Sequence, residues 1–137
     1  MTELEKVKQW LLGYPQWDAG GLIFIDYTDA VPGNMGLFPR GLEQVSVRED
    51  VLGNRAVRCR YHFALYKVAG RWEEDAAWLL EFQNWVQQQS AAGLAPRFGD
   101  VPEEERIRAE NGKLYKADPA GVVTYAVTLT AEFTRLL

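Results

Sequence analysis

Apolar residues recur at helical spacing in two segments of the chain. In residues 3–13 they predict a short helix, with Thr2 as its N-cap and Gly13 at its end. In residues 73–92 they predict a longer helix, whose apolar stripe consists of Trp78, Phe82, Trp85 and Val86. Each helix therefore has one face that is suited to packing on a core.

The remaining patterns predict strands that are separated by turn residues. The predicted strands are residues 22–28, 44–51, 55–69, 107–110, 113–116 and 122–135. Gly53-Asn54 joins the second and third strands as one long hairpin, and Asn111-Gly112 joins the fourth and fifth. The order α-β-β-β-α-β-β-β in a single domain, residues 1–137, predicts an α+β fold in which two helices pack on a mostly antiparallel sheet. A hairpin of this length tends to project from its domain or to be covered by another subunit.

The strand over residues 55–69 alternates between an apolar and a polar face. Because successive strand side chains point to opposite faces, Arg58, Arg60 and His62 share the polar face and are called here the basic stripe. Cys59 lies on the apolar face and is best explained as a small buried side chain. This separation excludes a Cys–His dyad on the strand.

Two interpretations of the basic stripe stay open. The stripe could contact an acidic segment of a second subunit, such as the glutamates at 103–105. It could instead form cross-strand pairs within the chain, for example with Glu49 or Asp50.

Residues 29–41 are rich in glycine and proline and are predicted to form a loop. This segment is unusually apolar for a solvated loop, since it contains Val31, Met35, Leu37 and Phe38. Such a segment either folds back on the core or binds a partner.

Composition and charge argue against several function classes. Fifteen Lys+Arg against nineteen Asp+Glu give a net charge of −4, whereas nucleic-acid binding needs a basic surface. No apolar run is long enough to span a membrane, and the N-terminus shows no signal-peptide pattern. One cysteine and one histidine exclude an internal disulfide and a cysteine-based zinc site, and no phosphate-cradle or nucleophile-elbow motif occurs. We therefore predict that the chain is not an enzyme and takes no cofactor or metal.

Short motifs along most of the chain occur in a characteristic order. In chain order they are Gly36-Leu37-Phe38-Pro39, Tyr61-His62-Phe63-Ala64-Leu65-Tyr66, Phe82-Gln83-Asn84-Trp85, Gly93-Leu94-Ala95-Pro96, Asn111-Gly112-Lys113-Leu114-Tyr115 and Ala117-Asp118. With this order over residues 20–135, the chain resembles the small minor capsid or tail-terminator proteins of long-tailed bacteriophages and prophages of Gram-positive bacteria.

The resemblance implies a tail-terminator-like fold and a structural role in virion assembly. Proteins of this kind form a ring, commonly a hexamer, that caps the head-proximal end of the tail tube and helps to join tail to head. The implied partners are other copies of the chain, the tail tube and head-completion proteins, with no direct nucleic-acid binding and no membrane. The implied location is the virion, and the host cytoplasm during assembly. Head closure, tail completion and a minor capsid position all remain compatible with it.

A ring requires two different complementary patches on each subunit. We place one patch on the basic stripe, and expect that reversing the charge of Arg58 and Arg60 together weakens assembly while the monomer stays folded. The other patch would lie on the predicted loop, at Val31, Met35, Leu37 and Phe38.

The alternative function is that of a small-molecule-binding or enzymatic α+β domain with an aromatic-lined pocket. Asp26 is the first residue to test under that hypothesis, because it is the one carboxylate in an otherwise apolar predicted strand. A simpler account of Asp26 is that it ends the strand and leads into a turn.

Overall fold

Two helices and five strands make up the computed structural model, which describes residues 2–15, 22–27, 31–69, 72–117 and 121–137, with backbone alone for 72–77. The helices are α1 (Glu3–Leu11) and α2 (Trp72–Ala91), and a short 3₁₀ turn spans Pro102–Glu104. The strands are β1 (Ile23–Ile25), β2 (Met35–Glu49), β3 (Arg55–Ala69), β4 (Arg106–Ala117) and β5 (Val123–Leu136). Residues 28–30 and Asp118, which belong to segments predicted above, lie outside the described residues.

The strands form one sheet in the order β1-β2-β3-β5-β4. Strand β1 runs parallel to β2, and the other described pairs are antiparallel. The predicted α+β fold with a mostly antiparallel sheet and two helices is therefore confirmed. The predicted projecting hairpin is wrong in one respect, since β3 pairs with β5 from Ala56 to Ala69 and lies inside the sheet. Of the two hairpin strands, β2 is the one that lies near an edge of the sheet, because β1 pairs only with its first three residues.

The predicted loop over residues 29–41 is wrong from Met35 onward, where β2 begins. Register shifts between Pro39 and Gly41 and between Gln44 and Ser46 mark two bulges, which absorb the irregular residues without ending the strand. Proline is tolerated here because β2 is an edge strand beyond its short pairing with β1. Pro39 and Gly41 therefore mark a bulge in an edge strand, where the sequence had predicted a loop.

The predicted hairpin at Asn111-Gly112 is also wrong. Strand β4 continues through both residues and changes register against β5 between Glu110 and Lys113. Asn111 has a φ of 58°, as a left-handed bulge residue does. The Gly112 N–H donates to Gln83 Oε1 of α2 at 3.2 Å, and a Cβ at Gly112 would lie 2.4 Å from that oxygen. A larger residue here would therefore displace the Gln83 side chain and crowd Leu79 of α2.

The helices bury their apolar stripes on one face of the sheet. The stripe of α2 is confirmed: Trp78, Phe82 and Val86 are buried, and Trp85 packs against the same core. The facing sheet residues include Phe63, Leu65, Val127 and Leu129. Near the β2–β3 turn a smaller cluster buries Val57, Cys59 and Phe133 beneath Phe98. Cys59 is thus a buried apolar side chain, as predicted.

The two edges of the sheet are treated differently. At β4, side chains of α2 accept hydrogen bonds from edge amides, including Ile107 N–H to Ser90 Oγ at 3.0 Å. At the other edge, β1 pairs only with Met35–Leu37. Beyond Leu37, the outer edge of β2 has no strand partner among the described residues. Helix α2 therefore supplies hydrogen-bond acceptors to the β4 edge, whereas the β2 edge beyond Leu37 is open.

Replacing Ser90→Ala should cost about 1–3 kcal/mol of unfolding free energy, because the Ile107 amide loses its acceptor in a half-buried place. Urea denaturation would measure the change. Ser46→Ala, at an exposed serine of β2, is the matched control and should stay within about 0.5 kcal/mol of the wild type. Equal losses in both variants would show that α2 does not protect this edge.

Candidate subunit interface

The basic stripe lies on the sheet face opposite the helices, as the alternation of β3 predicts. Arg58, Arg60 and His62 are partly buried there, whereas Cys59 and Phe63 point toward the helix side. The charges of this face decide whether the stripe is available to another subunit.

Glu132 of β5 is the centre of these charges. Its carboxylate lies 2.9 Å from Arg60 Nε and 2.9 Å from Arg108 Nη1, with Arg58 at 3.5 Å and Arg106 at 3.8 Å. The side chain is only 13% exposed. Burial raises the pKa of Glu132, but hydrogen bonds from Arg108 and Arg60 outweigh it, so the pKa is lowered overall. One ionised carboxylate therefore holds four guanidinium groups.

Arg58 is also tied to the segment that carries the acidic run. It donates to the backbone carbonyl of Glu104 and, at 3.2 Å, to Thr134 Oγ1. The Thr134 hydroxyl donates to the Glu104 carboxylate at 2.6 Å, and Arg48 approaches that carboxylate at 3.3 Å. The hydrogen bond from Thr134, aided by Arg48 and Arg58, lowers the pKa of Glu104. The acidic run meets the stripe within the same chain.

His62 completes the pairing of the stripe. Its Nε2 lies 3.0 Å from Glu43 Oε1, and its Nδ1 lies 3.1 Å from Thr130 Oγ1. The hydrogen bond with His62 is the main cause of the lowered pKa of Glu43. A carboxylate, an imidazole and a hydroxyl in a row can relay a proton. Thr130 is only 1% exposed, however, so its hydroxyl is closed to a substrate and the row is structural.

The structure therefore shows cross-strand pairs within the chain, with partners other than Glu49 and Asp50. Glu49 instead faces Arg55 at 3.9 Å, and Asp50 holds the turn. The expectation that a double charge reversal leaves the monomer folded is revised as well. Reversal at Arg58 and Arg60 would place two more carboxylates beside Glu132, so we expect it to destabilise the monomer.

The apolar segment divides between core and surface. Met35 and Leu37 are buried in the main core, so this part folds back, as one of the two interpretations held. Val31 is exposed, and Phe38 packs on the stripe side of the sheet against Tyr66. Of the predicted second patch, Val31 and part of Phe38 remain at the surface.

Another group of exposed apolar side chains lies at the β2–β3 end of the sheet. Five apolar residues within residues 42–52 have exposed side chains: Leu42, Val45, Val47, Val51 and Leu52. We call the outer edge of β2 from residue 42 to 49, together with the turn at 50–54, the hairpin end. The sequence pattern predicted this strand only from residue 44, whereas β2 begins at Met35, so the length of its exposed edge was not predicted. The prediction ended this strand at Val51 and placed the turn at Gly53-Asn54, so it did not single out Val51 and Leu52 as turn residues.

A second surface feature is a groove of about 530 Å³ on the stripe side of the sheet. Its walls include Arg40, Tyr66, Lys113 and Tyr115, and we call it the aromatic groove. The rings of Tyr66 and Tyr115 meet edge to face at 4.9 Å, and Arg40 donates to the Tyr66 hydroxyl. The described residues that line it include two cations and no carboxylate. Asp26 lies elsewhere, in a bend directly after β1 with a φ of 58°.

Other kinds of site were sought in the same residues. Within the described ranges, no three His, Cys, Asp or Glu side chains converge in a way that could hold a metal ion. No helix in those ranges is both long and apolar enough to cross a membrane. The chain matches no known protein-family model and no curated protein.

Proposed function

We propose that this chain is a structural virion protein of a phage or prophage, a tail terminator or minor capsid protein at the head–tail junction. It acts by ring-like self-assembly on the tail tube. The proposal is supported by the ordered motifs over residues 20–135 and by one observation of the fold. That observation is the uncovered apolar surface of the hairpin end.

An open strand edge with exposed apolar side chains is costly for a chain that acts alone. Its unpaired backbone groups can template pairing with other chains, and natural edges are usually blunted by charges, helices or short strands. Helix α2 accepts hydrogen bonds from two amides of the β4 edge. The β2 edge carries Pro39, two bulges and charged side chains, and its hairpin end still presents five exposed apolar side chains. Exposed apolar side chains gathered at one end of a sheet suit an interaction site better than singly scattered ones do. A subunit contact would cover it.

Ring closure needs a second, different patch on each subunit. The basic stripe is not free for it, because each of its side chains already has a partner within the chain: Arg58 and Arg60 pair with Glu132, and His62 pairs with Glu43. The ring contact then depends on the hairpin end and on a surface that receives it. The two faces of such a ring are left for the tail tube and for head-completion proteins.

Negative-stain electron microscopy of the full chain over a range of concentrations tests the proposed function. We expect annular particles of uniform diameter with a central opening. Isolated small particles at every concentration would contradict ring assembly. That result would favour the alternative of a small-molecule-binding domain, with the aromatic groove as the place to screen.

A further inference from the structure

The turn between β2 and β3 carries two apolar side chains at its tip. Val51 is 101% exposed and Leu52 is 83% exposed, relative to the reference for each residue. Turn positions usually hold glycine, proline, asparagine, aspartate or serine, each for a conformational reason. Valine and leucine serve no such purpose here. Exposed adjacent apolar residues at a tip therefore indicate a contact with something outside the chain.

The tip is held rigid by Asp50. Its Oδ1 accepts from the backbone N–H groups of Leu52 and Asn54, both at 2.9 Å, and its Oδ2 accepts from the Asn54 side chain at 3.0 Å. The hydrogen bonds from Asn54 and the turn amides lower the pKa of Asp50. The backbone that presents Val51 is thus already ordered, so docking it costs little further conformational entropy.

The aromatic groove has the complementary character. Its apolar lining comes from the two tyrosine rings together with Ala64 and Ala126, and its charges come from Arg40 and Lys113. At the tip, Glu49 faces Arg55 at 3.9 Å and Arg48 faces Glu104 at 3.3 Å. The negative charge of Asp50, directly before the two apolar residues, has no cation beside it among the described residues and is the charge that the groove would meet. Charge complementarity of this kind steers association and fixes register.

We propose that the turn at 50–54 of one copy docks in the aromatic groove of a second copy. This inference rests on the proposed function and specifies its subunit contact. Within one chain the two surfaces cannot meet, because Arg55 at the turn and Ala64 at the groove are separated by about 30 Å along β3, at ~3.3 Å per residue. The contact joins unlike surfaces, so it is head-to-tail and closes into a ring when the rotation allows.

Sedimentation velocity on two variants and their mixture tests the proposal. The tip variant is Val51→Ser with Leu52→Ser, and the groove variant is Lys113→Glu with Tyr115→Ala. We expect each variant alone to lose the assembled species. An equimolar mixture should then form a two-copy complex, since the intact tip of the groove variant fits the intact groove of the tip variant.

Two controls separate loss of the contact from nonspecific loss of assembly and from unfolding. Leu80→Ser removes an exposed leucine of α2 that belongs to neither the tip nor the groove lining, and should assemble like the wild type. The tip variant should keep the wild-type melting temperature, because Val51 and Leu52 are exposed. The groove variant should stay folded, with a loss no larger than that of the Tyr66–Tyr115 ring contact, about 0.5–1.5 kcal/mol.

Each other outcome overturns the proposal in a distinct way. Assembly of both variants alongside an assembling wild type rejects this contact but leaves the proposed function standing. Loss of assembly in the groove variant alone assigns the groove to another segment of the second copy. Failure of the mixture to form the two-copy complex shows that turn and groove are not partners. A wild type that stays monomeric at every concentration rejects self-assembly itself.

Discussion

Replacing Phe82→Ala is expected to lower the free energy of unfolding by about 3–5 kcal/mol, the usual cost of deleting a buried aromatic ring. Phe82 is completely buried at the centre of the α2 stripe. Its ring stacks on Trp78 at 5.0 Å between centroids and meets Tyr14 edge to face at 5.6 Å. The contact with Tyr14 joins α2 to the segment after α1, and Phe82 belongs to the core between helix and sheet, so the cavity would lie there. Urea denaturation would measure the loss.

The matched variant is Leu80→Ala, two residues away on the exposed side of α2. It should change the unfolding free energy by no more than about 0.5 kcal/mol, because surface substitutions seldom do more. Similar losses at both positions would contradict the placement of the α2 stripe on the sheet.

Replacing Glu132→Gln should lower the unfolding free energy at neutral pH by about 1.5–3 kcal/mol, the range for hydrogen bonds to a charged group. The amide keeps the shape but removes the charge that Arg58, Arg60, Arg106 and Arg108 share. Glu110→Gln is the control, because Glu110 is exposed and pairs with Arg108 alone among these arginines. A surface pair of this kind is worth about 0–1 kcal/mol.

The same variant should also change the dependence of stability on pH. Because the pKa of Glu132 is lowered in the folded chain, its contribution is fully present above the unfolded value of about 4.3. It is lost as the pH falls through the folded value. The wild type should therefore lose its advantage over Glu132→Gln on acidification below about pH 4.3. A difference between the two proteins that is constant from neutral to acid pH would contradict the role of this carboxylate.

Local patterns predicted the parts of the fold that depend on local physics. The apolar stripe of α2 requires only 3.6-residue periodicity, and the two faces of β3 require only alternation. The capping box between Thr2 and Glu5 is present as its spacing predicts. Each of these features is decided within a few neighbouring residues.

The errors occurred where distant residues decide the outcome. Asn111-Gly112 favours a two-residue hairpin turn in isolation, but Gln83 of α2 accepts the Gly112 amide and holds the segment as a bulge. Met35 joins the sheet because β1 and β3 pair with β2 on both sides there. No local signal in either segment reports these partners.

The candidate site shows the same division. The stripe residues could be assigned to one face from β3 alone, but their partners Glu43 and Glu132 are known only from the registers of β2 and β5. Those registers show that the apparently free basic patch is paired within the chain. They also leave the hairpin end as the uncovered surface.

The central claim is that this chain is completed by binding other copies of itself. Sedimentation velocity of the unmodified full chain over a wide concentration range tests it most directly. We expect a discrete ring-sized species that dissociates toward monomer on dilution. A single species at the monomer mass of 15.6 kDa at every concentration would contradict it.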